Sequence, residues 1–219
     1  MDELELNKKL FEAVEANDVK RVDLLLKQGA WVLAENNFNE TLLERAKTAE
    51  MAETLIANGM RLMTSECESE LFYVGVPEVV EVLIAHGADV NARNVNDETP
   101  LFTVNSAAVA EILIAHGADV NAKTADGATP LSRINSVDVA KVLIAHGADV
   151  NAKMSHGETP LFKTSSAEVA KVLIEHGADV NAVNDYGIPM INYATHEIAD
   201  VVRACQQGKT DVTNRTKKN

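Results

Sequence analysis

Apolar positions recur at three- and four-residue spacing through most of this chain. After Ser106 they fall at Val109, Ala110, Ile112, Leu113 and Ile114, and the same set returns as Val139, Ala140, Val142, Leu143 and Ile144. That spacing turns one face of an α-helix toward a core and does not fit the alternation of a half-buried strand. Ser106, Ser136, Ser166 and Thr48 stand where such a helix needs an N-cap, and Pro77 takes the first-turn site of another copy. Gly117 and its counterparts follow the stripe, where a helix end calls for a left-handed backbone. A shorter helix precedes each long one. Thr99-Pro100-Leu101-Phe102, Thr129-Pro130-Leu131-Ser132 and Thr159-Pro160-Leu161-Phe162 place a capping threonine, a first-turn proline and then apolar residues on one face. The pattern predicts helix, turn, helix.

The pattern is also periodic over longer distances. His-Gly-Ala-Asp-Val-Asn-Ala starts at His86, His116, His146 and His176, a period of 30 residues. Gly29, Gly59, Gly87, Gly117, Gly147, Gly177 and Gly208 serve as a ruler for about seven units. A unit this short cannot bury its own apolar face and stacks on copies of itself. Between units, Ala118-Asp119-Val120-Asn121-Ala122-Lys123 and the variable stretch to Ala128 are rich in Asp, Asn and Gly, which predicts a projecting hairpin-like finger. In the last unit Arg203 replaces the isoleucine of Ile114, Ile144 and Ile174, as suits a polar terminal layer.

Thr-Pro-Leu, a second helix and Gly-Ala-Asp-Val-Asn-Ala, recurring in register from about Leu10 to Gly208, resemble the ankyrin repeat, a β-turn plus two helices with a period of about 33. The resemblance implies an all-α ankyrin-repeat solenoid of stacked helix-turn-helix units with β-turn fingers. The array spans 1–208, with caps at about 5–34 and 183–208, and 209–219 form a disordered polar and basic tail. Two departures matter. The family histidine after leucine is Phe102, Ser132 and Phe162 here, which puts its hydrogen bonds in question, and the short period predicts a stubby first helix.

Composition narrows the function. Aromatics are only 4%, which suits thin helical layers better than a ring-lined pocket. The net charge is −13, and between Glu35 and Glu81 ten acids face three bases. Direct binding to a nucleic-acid backbone requires the opposite sign. No membrane-length apolar run or secretory leader is evident, and Cys67 and Cys205 lie too many units apart to pair, so a cytoplasmic monomer is expected. His86, His116, His146 and His176 form a ladder, but equivalent positions in packed layers are roughly 8–10 Å apart, too far to share a metal. They read instead as helix-end residues beside the last carbonyls. With no phosphate loop, nucleophile elbow or metal motif, no catalytic, cofactor or metal residue is assigned and the chain is not expected to be an enzyme.

Variation among the copies points to binding. The second helix and the Gly-Ala-Asp-Val-Asn-Ala segment barely change, whereas fingers and first helices do. In the family those segments line the concave face. The expected protein-binding residues are Val95, Asn96, Glu98, Phe102 and Thr103; Ala125, Asp126, Ala128 and Arg133; Met154, Ser155, His156, Glu158, Phe162 and Lys163; and Asp185 and Tyr186. Phe102, Phe162, Tyr186 and Met154 would be apolar anchors. The reading is a non-catalytic scaffold for an unidentified protein partner. Its alternative is an acidic inhibitor or effector occupying a basic site on a nucleic-acid-handling or host protein through Glu35 to Glu81. Asn91, Asn121, Asn151 and Asn181 either brace the finger turn or, as the family resemblance implies, accept hydroxylation.

Overall fold

The computed structural model describes residues 2–63 and 69–215, with side chains to residue 208. Cys67 lies outside the described residues, as do the side chains of the expected tail. Described residues form helices and turns without named strands; two isolated bridges, Met63 with Ser69 and Val183 with Pro189, sit at finger bases.

The long helices are α1 (Glu3–Glu15), α2 (Val19–Lys27), α4 (Ala49–Ala57), α5 (Pro77–Ala85), α6 (Ala107–Ala115), α8 (Val137–Ala145), α10 (Ala167–Glu175) and α11 (His196–Arg215). Single-turn helices α3 (Leu42–Arg45), α7 (Pro130–Arg133) and α9 (Pro160–Lys163), with 3₁₀ turns at Glu70–Phe72, Pro100–Phe102 and Met190–Asn192, occupy the first-helix position. Among the described residues only α1, of 13 residues, is a first helix of ordinary length. The missing residues of the short period are therefore lost from helix one.

The second helices begin as the sequence indicates: Ser136 and Ser166 accept hydrogen bonds from the Val139 and Val169 N–H groups. They end at glycine. Gly117 has φ +91°, and the Ala118 N–H returns to the Leu113 carbonyl, satisfying carbonyls that the helix leaves open. Gly208 breaks this series. It lies inside α11, which continues in backbone to Arg215, and its φ is not positive.

The capping role expected of Thr99 and Thr159 is corrected, since neither makes a hydrogen bond through its hydroxyl and each buried Oγ1 has no partner among the described residues; Thr129 forms a capping box with Ser132. In α7 the Ser132 hydroxyl does the local work, accepting from the Thr129 N–H at 3.1 Å and donating to the Thr129 carbonyl at 2.7 Å.

Contacts divide the chain into two compact units, Met1–Val95 with Glu111–Ala118, and Asn96–Ala110 with Asp119–Asn219. In the first, α1 packs on α2 and α3, and α4 packs on α2 and α5. Its core contains fully buried Leu10, Leu42, Leu43, Met51, Leu55, Leu71 and Leu83. In the second, α10 packs on α8 and α11 and α7 packs on α9, around Leu101, Leu131, Leu143 and Leu161.

Neighbouring copies are joined by an amide clamp. Asn121 Nδ2 donates to the Gly147 carbonyl at 2.9 Å, and its Oδ1 accepts from the Asp149 N–H at 2.9 Å. Asn151 repeats both bonds with Gly177 and Asp179 at 3.0 and 2.9 Å, and Asn91 Nδ2 reaches the Gly117 carbonyl at 2.9 Å. In each copy the aspartate two residues earlier receives the asparagine's own N–H. At the C-terminal end the Asn181 Oδ1 accepts from Gln206 Nε2 at 3.0 Å. These asparagines brace their turns and also clamp the next copy.

Candidate protein-binding surface

Each finger of the second unit is a five-residue turn closed by one backbone bond: Thr124 N–H to Ala128 O at 3.1 Å, Met154 to Glu158 at 2.9 Å, and Asn184 to Ile188 at 3.0 Å. Such turns require a left-handed residue at the fourth position, supplied by Gly127, Gly157 and Gly187 at φ +77°, +71° and +72°, and in the middle finger His156, a non-glycine, is left-handed as well at φ +65°. Successive tips are tied together. Ser155 and Asp185 N–H groups donate to the Asp126 and His156 carbonyls at 2.7 and 2.8 Å. The surface is therefore pre-formed, which lowers the ordering cost of binding.

Among the expected binding residues, Val95, Asn96, Thr103, Ala125, Asp126, Arg133, Ser155, His156, Lys163, Asp185 and Tyr186 are exposed, and Glu98 and Glu158 are half-buried. Four are corrected. Phe102, Ala128 and Met154 form a buried cluster with Ala122, and Phe162 is 8% exposed, so none is a surface anchor. Phe102 and Met154 pack together with the two alanines.

Of the expected apolar anchors, Tyr186 is exposed, at 67%. Its ring stacks on His156 at 5.4 Å, and its hydroxyl meets His156 Nδ1 at 3.0 Å. Tyr193 is also exposed and was not among the expected residues. It packs on Phe162 at 5.7 Å and accepts from Asn184 Nδ2 at 3.2 Å. Tyr193 closes the turn Met190–Asn192 as Thr103 closes Pro100–Phe102, so the repeat register could have revealed it. Arg133 and Lys163 hold the corresponding place in two other copies.

Charge on this surface is partly satisfied within the protein. Lys163 pairs with Glu158 at 2.6 Å and Arg133 with Glu98 at 3.8 Å. The two cations flank a hollow of about 300 Å³ that also includes Asp126 and Asn135. The Thr124 hydroxyl, backed by the Ala128 N–H, holds the Asp126 carboxyl below the usual carboxylate range.

The ladder histidines divide in role. The His176 Nδ1 lies 2.8 Å from the Val172 carbonyl, as a helix-end reading requires. His86 and His116 instead meet Glu53 and Glu81 of the preceding long helix at 2.8 and 3.0 Å. Among the described residues no group of three His, Cys, Asp or Glu side chains could hold a metal ion, and no helix is long and apolar enough to cross a membrane.

A family model for ankyrin repeats (3 copies) matches residues 71–154 and 108–184, more than half of the chain, which belongs to the ankyrin-repeat family. No curated protein matches the sequence. Two similar solved structures are the ankyrin-repeat domain of Bcl-3, a member of the IκB family, and that of human ASB11. The first is 23% identical, covering 89% of this chain and 97% of the other with a TM-score of 0.60. The second is also 23% identical, covering 90% and 96% with a TM-score of 0.71. The fold is thus an all-helical ankyrin-repeat solenoid, and domains of this family are generally non-catalytic modules for protein–protein interaction.

Proposed function

We infer that this chain is a non-catalytic scaffold that binds a protein partner through fingers and first helices of its second unit. The carrying observation is the exposed row formed by His156, Tyr186 and Tyr193 with Arg133 and Lys163. These positions differ from copy to copy, while the long helices beneath them keep one buried face. Tyrosine and arginine are the side chains that most often dominate interface energy. The rigid finger bonding supplies pre-organisation.

The test is affinity capture followed by mass spectrometry, comparing the natural sequence with a variant carrying Arg133→Ala, His156→Ala, Lys163→Ala and Tyr186→Ala. All four side chains are exposed, so an unchanged thermal melt should accompany loss of the partner. A partner retained by the variant would remove this surface from consideration.

A further inference from the structure

The joint between the second and third copies lacks the amide clamp of the central ones. Met63 stands at the position of Asn91, Asn121 and Asn151, so the second copy carries no gripping amide. The first-helix positions of these two copies meet instead through a buried side-chain pair. The Thr41 hydroxyl, at the start of α3, donates to Glu70 Oε2 at 3.0 Å, and Glu70 opens the 3₁₀ turn Glu70–Phe72.

Three other copies fill this position with Pro100, Pro130 and Pro160. Proline brings a preset φ and no group that titrates. Glu70 brings a carboxyl into a site of 0% exposure, where its Oε1 has no partner among the described residues. A buried carboxylate needs cations or several donors around it. The charged groups that act on Glu70 are Glu44 on α3 and Glu35 in the loop before it, both of its own sign. Arg45 of α3 is engaged with Glu40 at 2.8 Å and Glu15 at 3.7 Å. The charged residues of α5, which packs on the turn, are Glu78 and Glu81, and residues 64–68 contain no basic residue. Burial, and after it the two carboxylates, outweigh the Thr41 hydrogen bond and push the Glu70 carboxyl from 4.5 to about 8.

The turn itself is held by few bonds. The Phe72 and Tyr73 N–H groups return to the Ser69 and Glu70 carbonyls at 3.1 and 3.0 Å, and the Glu70 N–H reaches the Leu62 carbonyl at 3.1 Å. Leu71 and Phe72 are buried beneath it. Stability in a repeat array is a sum of nearest-neighbour terms, so a weak joint opens locally. An ionised Glu70 regains water only by leaving its site, and the turn leaves with it.

We propose that Glu70 is an acid-closed latch on this joint: protonated, it seats the turn Glu70–Phe72 against Thr41, and ionised, it releases the turn and uncovers Leu71 and Phe72 while the second unit stays folded. The latch does not depend on the scaffold reading above. The closed form holds its proton up to about 8 and the open form only up to the ordinary 4.5. Opening is therefore rarest below pH 4.5, rises by at most about tenfold per pH unit, and levels off above about 8.

Two measurements on the whole chain test the latch. In a carbon-13 titration of the glutamate carboxyls, the signal lost in Glu70→Gln is expected to titrate well above the ordinary carboxylate range. Amide exchange at Phe72, Tyr73 and Val74, corrected for base catalysis, is expected to lose protection about tenfold or more between about pH 5.5 and 7.5, while Ala148 and Ala178 in the second unit keep theirs. Glu70→Gln, which retains an acceptor for Thr41, should abolish this pH dependence, and Glu44→Gln should move it to lower pH. His86→Gln, at the joint's other titratable pair with Glu53 at 2.8 Å, should leave it in place. The proposal is overturned if Glu70 titrates with ordinary glutamates, if exchange at the turn follows base catalysis alone, or if both units lose protection together. Persistence of the effect in Glu70→Gln, or its disappearance in His86→Gln, would overturn it as well.

Discussion

Two buried threonine hydroxyls without partners are a cost that the short repeat carries. At Thr99 and Thr159 the side-chain oxygen neither caps its helix nor meets a polar neighbour among the described residues. Replacing such a group by an apolar isostere removes a desolvation penalty of about 1–3 kcal/mol. Thr159→Val is therefore expected to raise the urea midpoint, and a lower midpoint would show that the hydroxyl is satisfied. Glu70 is the opposite case: it stands where other copies have Pro100, Pro130 and Pro160. Burial, moderated by the Thr41 hydrogen bond, pushes its carboxyl from 4.5 to about 8. The protonated form suits the fold, so its contribution is complete below pH 4.5 and is lost as pH rises through the window to about 8. At about 1.4 kcal/mol per pH unit as an upper bound, a few kcal/mol are involved. Denaturant melts at the two ends of this window should show a loss of stability that Glu70→Gln, which retains an acceptor for Thr41, largely abolishes.

At the scale of elements, the long helices and their joints dominate. Leu143 is fully buried in α8, and Leu143→Ala should cost about 2–5 kcal/mol in a denaturant melt. Asn151→Ala deletes two bonds to the following copy and should cost about 1–3 kcal/mol, with faster amide exchange at Asp179, whose N–H loses its acceptor. The helix-turn-helix unit, its serine caps and its glycine ends were legible in the sequence, because spacing and backbone conformation are local properties. Burial of Phe102, Met154 and Phe162 was not. Their differences among copies look like freedom from packing, yet Phe102 and Met154 pack together with Ala122 and Ala128, and Phe162 packs against Tyr193, all distant in sequence. Exposure of Tyr193 was hidden for a related reason: the last copy was assigned to a cap as a whole, although its first-helix position keeps the register of Arg133 and Lys163. The clamp made by Asn121 and Asn151 was only half visible, since sequence indicates that an asparagine favours a turn but not that its amide reaches the next copy.

For the whole molecule, a net charge of −13 sets a repulsive background. Adding salt up to about 0.15 M shortens the screening length to about 8 Å and should raise the thermal midpoint, with much less gain beyond. A midpoint independent of salt would mean that local pairs such as Arg45 with Glu40 already cancel the field. Hydrogen exchange should be slowest in long helices with packed neighbours, α8 and α10, because stability in repeat arrays is approximately a sum of nearest-neighbour terms.

The amide clamp also bears on how such a chain changes over generations. Asn121 and Asn151 grip partners at the same offsets, a carbonyl 26 residues on and an N–H 28 residues on. A gene duplication or excision of one whole period would reproduce a junction that already exists, whereas a fractional event would break one. Length is thus free to evolve in steps of one repeat through the clamped copies. The copies that carry Leu33 and Met63 at the asparagine position lack that grip and fall outside this scheme.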